Sequence, residues 1–185
     1  MKKYELTEET VTVYGKTLYR IRAVRDFGSV KTGEFGGYIE KEENLSHFGD
    51  AWVYGNAKVY GDARVSGNAW IYGDARVFGN ARVSGNARVY GNAKVYGDAR
   101  VYGNAEVFNT RHFFVQGPIG SRDGYVTFYR TKDDTVEVRC GCFSGSLQEF
   151  VNQVEETHGG SRYEKEYKLA AELAKVCIRL EGESR

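Results

Sequence analysis

The chain has 185 residues, with 26 Lys and Arg against 25 Asp and Glu for a net charge of +1 at pH 7. That near-balance excludes the strongly basic character of a dedicated nucleic-acid-binding domain. A mean hydropathy of −0.53 accompanies no apolar run of the roughly 18 residues that cross a bilayer. Three cysteines give no disulfide framework, and residues 1–7 lack the apolar core of a signal peptide, so a cytoplasmic protein is expected.

Taken in order, residues 10–14 and 17–24 alternate around Gly15-Lys16, with Leu18, Tyr19 and Ile21 as bulk, and predict a β-hairpin. A glycine-rich stretch, 28–37, follows. Residues 1–36 are expected to cap the element that comes next.

That element is residues 49–108, ten consecutive hexapeptides of one form: Gly, Asp or Asn, Ala, a variable residue, Val, then an aromatic or Ser. Gly stands at 49, 55, 61, 67, 73, 79, 85, 91, 97 and 103; Ala follows each by two and Val, or Ile71 once, by four. Ala and Val alternate with the variable residue, so they point inward and it points out. The following aromatic-Gly-Asn or aromatic-Gly-Asp is corner chemistry, because Gly, Asn and Asp tolerate the left-handed region. A chain that turns every six residues buries its Ala and Val only by coiling and stacking on itself. Carried backward in the same register, the pattern puts Ile39 and Leu45 in Ala positions and Lys41 and His47 in Val positions. It then spans residues 37–108 as twelve hexapeptides, about four coils; residues 109–114 keep only Phe113 in register and end the element, which is expected over 37–114.

The repeat resembles the hexapeptide-repeat superfamily, whose fold is a left-handed parallel β-helix of triangular section with three hexapeptides per coil. The left hand is implied by the resemblance alone, since parallel crossovers ordinarily favour the right hand. Gly36-Gly37-Tyr-Ile-Glu, Asn44-Leu-Ser, Gly49-Asp-Ala-Trp-Val and Cys140-Gly-Cys-Phe-Ser-Gly with Glu149-Phe150 are similar to uncharacterised hexapeptide-repeat proteins of bacteria, phages and prophages. The resemblance implies a phage setting and homotrimers with prisms side by side, but no particular activity.

With three hexapeptides per coil, residues 18 apart stack about 4.8 Å apart. The outward residues then form three ladders: Trp52, Trp70, Arg88 and Glu106; Lys58, Arg76 and Lys94; Arg64, Arg82 and Arg100. Two readings of the basic ladders stay open. In one, Asp62, Asp74 and Asp98 neutralise the arginines two positions on, and the faces are merely solvated. In the other, Lys58, Arg64, Arg76, Arg82, Lys94 and Arg100 bind anions or an acidic partner. Trp52 and Trp70, read as exposed beside Arg88, mark the expected subunit interface.

Residues 115–185 change character and predict a ββαα domain. Strands at 125–129 and 135–139 flank Lys132-Asp133-Asp134. Two helices follow, each opened by a capping box, Ser146 with Glu149 and Ser161 with Glu164. The first buries Leu147, Phe150, Val151 and Val154. The second carries a stripe of Tyr163, Tyr167, Ala170, Ala174 and Cys177, widened by Leu169, Leu173 and Val176. Residues 117–124 read as a linker, with Ser121 and Arg122 as an alternative anion site. Cys140 and Cys142 supply only two of the four ligands a structural zinc takes, so they read as small buried residues and no metal is assigned.

The expectation from all this is a non-catalytic homotrimer that presents basic and aromatic faces to a protein or a small anionic, nucleotide-like ligand. In a phage setting it would inhibit or sequester part of a host defence. One alternative, the commonest activity in the superfamily it resembles, is an acyltransferase using acetyl-CoA, with His47 or His112 as general base, although residues 49–108 lack the loop that typically interrupts the repeats of those enzymes. The other is a structural or assembly part.

Overall fold

The computed structural model describes residues 2–181, so the outermost ends of the expected cap and C-terminal domain fall outside the described residues. Two long strands open the fold, β1 (Tyr4–Val13) and β2 (Lys16–Ala23), joined by Tyr14 and Gly15 at φ 50° and 77°. Positive φ at both central residues gives the turn whose twist suits a hairpin. Strand β3 (Phe35–Ile39) pairs antiparallel with β2 and starts the first coil.

Ten two-residue strands then follow, one per hexapeptide: β4 (Trp52–Val53), β5 (Lys58–Val59), β6 (Arg64–Val65), β7 (Trp70–Ile71), β8 (Arg76–Val77), β9 (Arg82–Val83), β10 (Arg88–Val89), β11 (Lys94–Val95), β12 (Arg100–Val101) and β13 (Glu106–Val107). They stack in parallel as three faces, β3-β5-β8-β11, β4-β7-β10-β13 and β6-β9-β12. The result is a parallel β-solenoid of about four turns. Every Ala and Val of the repeat is buried to within 1% in one continuous core. The corner glycines hold φ between +55° and +71°. A Cβ on Gly85 would also come within 2.8 Å of the Gly103 nitrogen one coil on, so stacking forbids a side chain there as well.

Backward extrapolation of the repeat misses by two residues. Ile39 lies opposite Val59, and Leu45 opposite Val65, offsets of 20 rather than 18. Ile39 and Leu45 therefore fill Val positions. The corner between Leu45 and Ala51 is two residues longer than the others, and His47 sits in it, stacked on the Tyr4 ring at 4.3 Å rather than facing the core.

The two ends of the solenoid have opposite chemical needs. Outward and corner residues donate their N–H groups to carbonyls of the next coil, as Arg64 does to Ala81 (2.9 Å) and Ser66 to Val83 (3.0 Å). The first coil is thus left with carbonyls lacking donors, and the last with N–H groups lacking acceptors. The N-terminal cap supplies donors. Lys3 Nζ reaches the Ala51 (2.7 Å) and Gly49 (3.2 Å) carbonyls, Tyr4 Oη the Leu45 carbonyl (2.8 Å), and Asn44 Nδ2 the Ala63 (2.8 Å) and Gly61 (3.0 Å) carbonyls. Burial pulls the Lys3 ammonium down to about 8, so it still carries its proton at pH 7. The C-terminal cap supplies acceptors, Thr127 Oγ1 to the Arg100 N–H (3.0 Å) and His112 Nδ1 to the Phe108 N–H (3.4 Å).

His112, a general-base candidate under the acyltransferase alternative, is only 5% exposed, and burial, then the neighbouring Arg130, push its pKa down to about 4. Its acceptor role requires the neutral ring. Because the unfolded chain takes up this proton near pH 6.5, stability should be fully present above that value and decline as the pH drops toward 4. Urea midpoints measured across this window should show a slope that His112→Asn flattens, since the Asn amide oxygen is an acceptor that does not titrate.

Beyond the last coil stands an antiparallel sheet of four strands, not two: β14 (Phe113–Ile119), β15 (Gly124–Arg130), β16 (Val136–Cys140) and β17 (Phe143–Ser146). The expected linker at 117–124 is largely the end of β14 and the turn into β15. Tyr129 on β15 belongs to the solenoid core and closes its end. Helices α1 (Leu147–His158) and α2 (Arg162–Cys177) pack on the sheet. Ser146 and Glu149 close a full capping box; in α2 Glu164 reaches back to the Gly160 N–H (2.7 Å) instead. Phe150, Val154, Tyr167, Ala170 and Ala174 are buried with Val126, Phe128 and Val138. Leu169, Leu173 and Val176, expected to widen the buried stripe, face outward at 71%, 47% and 80% exposure. No helix among the described residues is long and apolar enough to cross a membrane.

Candidate functional site

The β6-β9-β12 face carries Arg64, Arg82 and Arg100, paired rung to rung in parallel register as the 18-residue spacing requires. The C-terminal domain lies against this face and leaves a cleft of about 1080 Å³ between them. One wall is the three-arginine ladder, edged by the corner residues Asp62, Asn80 and Asp98. The other comprises the β14–β15 turn with Ser121 and Arg122, the β16–β17 turn with Cys142, Phe143 at the start of β17, and the helix residues His158 and Tyr167. Two features read separately in the sequence, the ladder and the Ser121-Arg122 alternative, thus meet in one place.

The arginines are not neutralised as the local Asp–Arg reading expects. Asp62 pairs with Lys41 at 2.7 Å, and Asp98 accepts from the Asn80 amide at 3.0 Å. Among the described residues Arg64, Arg82, Arg100 and Arg122 make no ion pair within 4.0 Å. Asp98 meets the Asn80 stacked on it and Asp62 meets Lys41 of the preceding coil, so neither carboxylate pairs with the arginine two positions on. Four guanidiniums and two carboxylates therefore line the cleft, an excess of positive charge on exposed side chains.

The turn that presents Arg122 is fixed from below. Gly120 holds φ +75°, and its N–H donates to Glu166 Oε2 of α2 at 2.7 Å. A Cβ on Gly120 would strike the Tyr167 hydroxyl, so only glycine lets the turn settle on this ring. Burial, then nearby Cys140, push the Tyr167 phenol up to about 12, so it stands in the cleft as a neutral hydroxyl. Cys140 is half-buried and Cys142 exposed at the cleft edge, where both were expected to be buried.

The remaining sequence candidates lie elsewhere. Lys58, Arg76 and Lys94 form their own ladder on a different face. The Lys58 ammonium sits 5.6 Å from the Tyr38 ring and donates to the Asn56 carbonyl at 2.8 Å. Trp52, expected to be exposed at an interface, is fully buried under the N-terminal cap, with Phe27 at 5.3 Å and Tyr4 at 6.1 Å between ring centres. Trp70 remains half-buried, with Arg88 5.7 Å from its ring. His47 and His112 serve the two caps, and the histidine in the cleft is His158, the last residue of α1.

Residues 57–73, 69–85, 75–97 and 93–107 match the YdcK beta solenoid repeat. This is a β-solenoid repeat protein. The matched coils include all three ladder arginines, and the match stops before the C-terminal domain that completes the cleft. No curated protein matches the chain.

Proposed function

We propose that this solenoid protein is a non-catalytic binding protein whose ligand is a small molecule bearing several negative charges, held in the cleft between the arginine ladder and the C-terminal domain. The observation that carries this reading is the convergence of Arg64, Arg82, Arg100 and Arg122 on one cleft without an ion pair of their own. Unpaired like charges on stacked rungs, whose backbones are about 4.8 Å apart, repel one another. A ligand that accepts from several of them at once relieves that repulsion and gains charge-assisted hydrogen bonds. Calorimetric titration with inorganic tripolyphosphate should give binding that weakens as salt rises; absence of binding at low salt would refute the reading.

The resemblance to hexapeptide-repeat proteins supports finer proposals: left-handed coils, a homotrimer, and a phage-encoded protein acting in host cytoplasm against a defence component. With Trp52 buried, the Trp70–Arg88 face is the proposed contact. Light scattering should then report three times the mass of one chain, and a monomer would dismiss this assembly.

A further inference from the structure

The anion reading leaves the ligand's other half open, and the second wall of the cleft addresses it. That wall is rich in rings. Tyr125 is 43% exposed, Phe143 is half-buried with its ring 5.4 Å from Phe150, and His158 lies 5.7 Å from Tyr167. All of these residues line the same cleft as the ladder. An inorganic polyanion has no use for such a wall. Water beside it is displaced favourably only by an apolar or flat group.

The volume leads the same way. At about 1080 Å³ the cleft is slightly larger than the range of about 300–1,000 Å³ for whole organic ligands and far exceeds a few phosphates. The ladder fixes how the charges are arranged. Three arginines on successive rungs, with backbones about 4.8 Å apart, suit a compact run of linked phosphates, whereas a single carboxylate engages only one rung. Resting on the anion reading above, we infer that the ligand is a nucleotide carrying a short polyphosphate, with its phosphates on Arg64, Arg82, Arg100 and Arg122 and its base against Tyr125. Tyr125 is assigned the stacking role because it is the most exposed ring in the cleft. Stacking on an aromatic side chain tolerates any base, so the site selects for the presence of a base rather than its identity.

The experiment compares ATP with inorganic tripolyphosphate on the full chain, in metal-free buffer, by calorimetry. ATP should bind about tenfold or more tightly than tripolyphosphate. Tyr125→Ala should remove that difference by weakening ATP alone, and Tyr125→Trp should preserve it; an unchanged melting temperature in both variants confirms their folding. If tripolyphosphate binds as well as ATP and Tyr125→Ala alters neither, the base has no site here, the inference is overturned, and the anion reading survives. If neither compound binds, both fall together.

Discussion

Reversing the middle rung, Arg82→Glu, should weaken tripolyphosphate binding more than a hundredfold while leaving the protein as stable as before or slightly more so. Arg82 lies between Arg64 and Arg100 in the parallel ladder, so its reversal touches both neighbours. A hydrogen bond to a charged group is worth about 1.5–3 kcal/mol, which is roughly ten- to more than hundredfold in affinity. That is the loss from the missing guanidinium alone. The introduced carboxylate would in addition repel the ligand and engage the flanking arginines. The same change removes like-charge repulsion along the face, which is the reason stability should hold or rise. Opposite signs in two measurements, calorimetry and thermal melting, separate this mechanism from simple damage to the fold. Unchanged affinity would leave the ladder as ordinary solvated surface.

The largest expected effect on stability lies at the other end. Trp52→Ala should cost about 3–5 kcal/mol, a large share of the roughly 5–15 kcal/mol that holds an ordinary domain folded. Trp52 is fully buried, and Tyr4, Phe27 and Tyr54 all pack edge-on against it. Truncation would open a cavity between the first coil and its cap. Trp52→Phe is the informative comparison. The Trp52 Nε1 is buried and has no hydrogen-bond partner among the described residues, so replacing it orphans nothing and the loss should be far smaller. Urea denaturation reads both. A loss below about 1 kcal/mol for the Ala variant would mean that the cap and the coils do not unfold as one unit.

How much the sequence reveals depends on whether a residue's environment is repeated or unique. Arg64, Arg82 and Arg100 could be aligned before any coordinates because every intervening hexapeptide is the same length. His47 could not, because a single longer corner between Leu45 and Ala51 breaks that equality, and Gly49-Asp50 resumes the pattern as though nothing had intervened. The burial of Trp52 is invisible in the repeat for a related reason. Its position in the ladder is correct, opposite Trp70, but a separate segment folds over it. The candidate site was half legible. The ladder wall follows from periodicity, while the opposite wall depends on how β14 to α2 fold back, and no local spacing encodes that.

The unlike hydrogen-bonding ends of the coil stack set how such a protein can be lengthened. Lys3, Tyr4 and Asn44 present hydrogens to one rim, and Thr127 and His112 present lone pairs to the other, so the terminal pieces are not interchangeable. An insertion of eighteen residues in mid-stack disturbs neither rim and adds one further guanidinium to the row. Related chains can thus change the reach of the groove in whole rungs, by duplication, without redesigning the lid at either extremity.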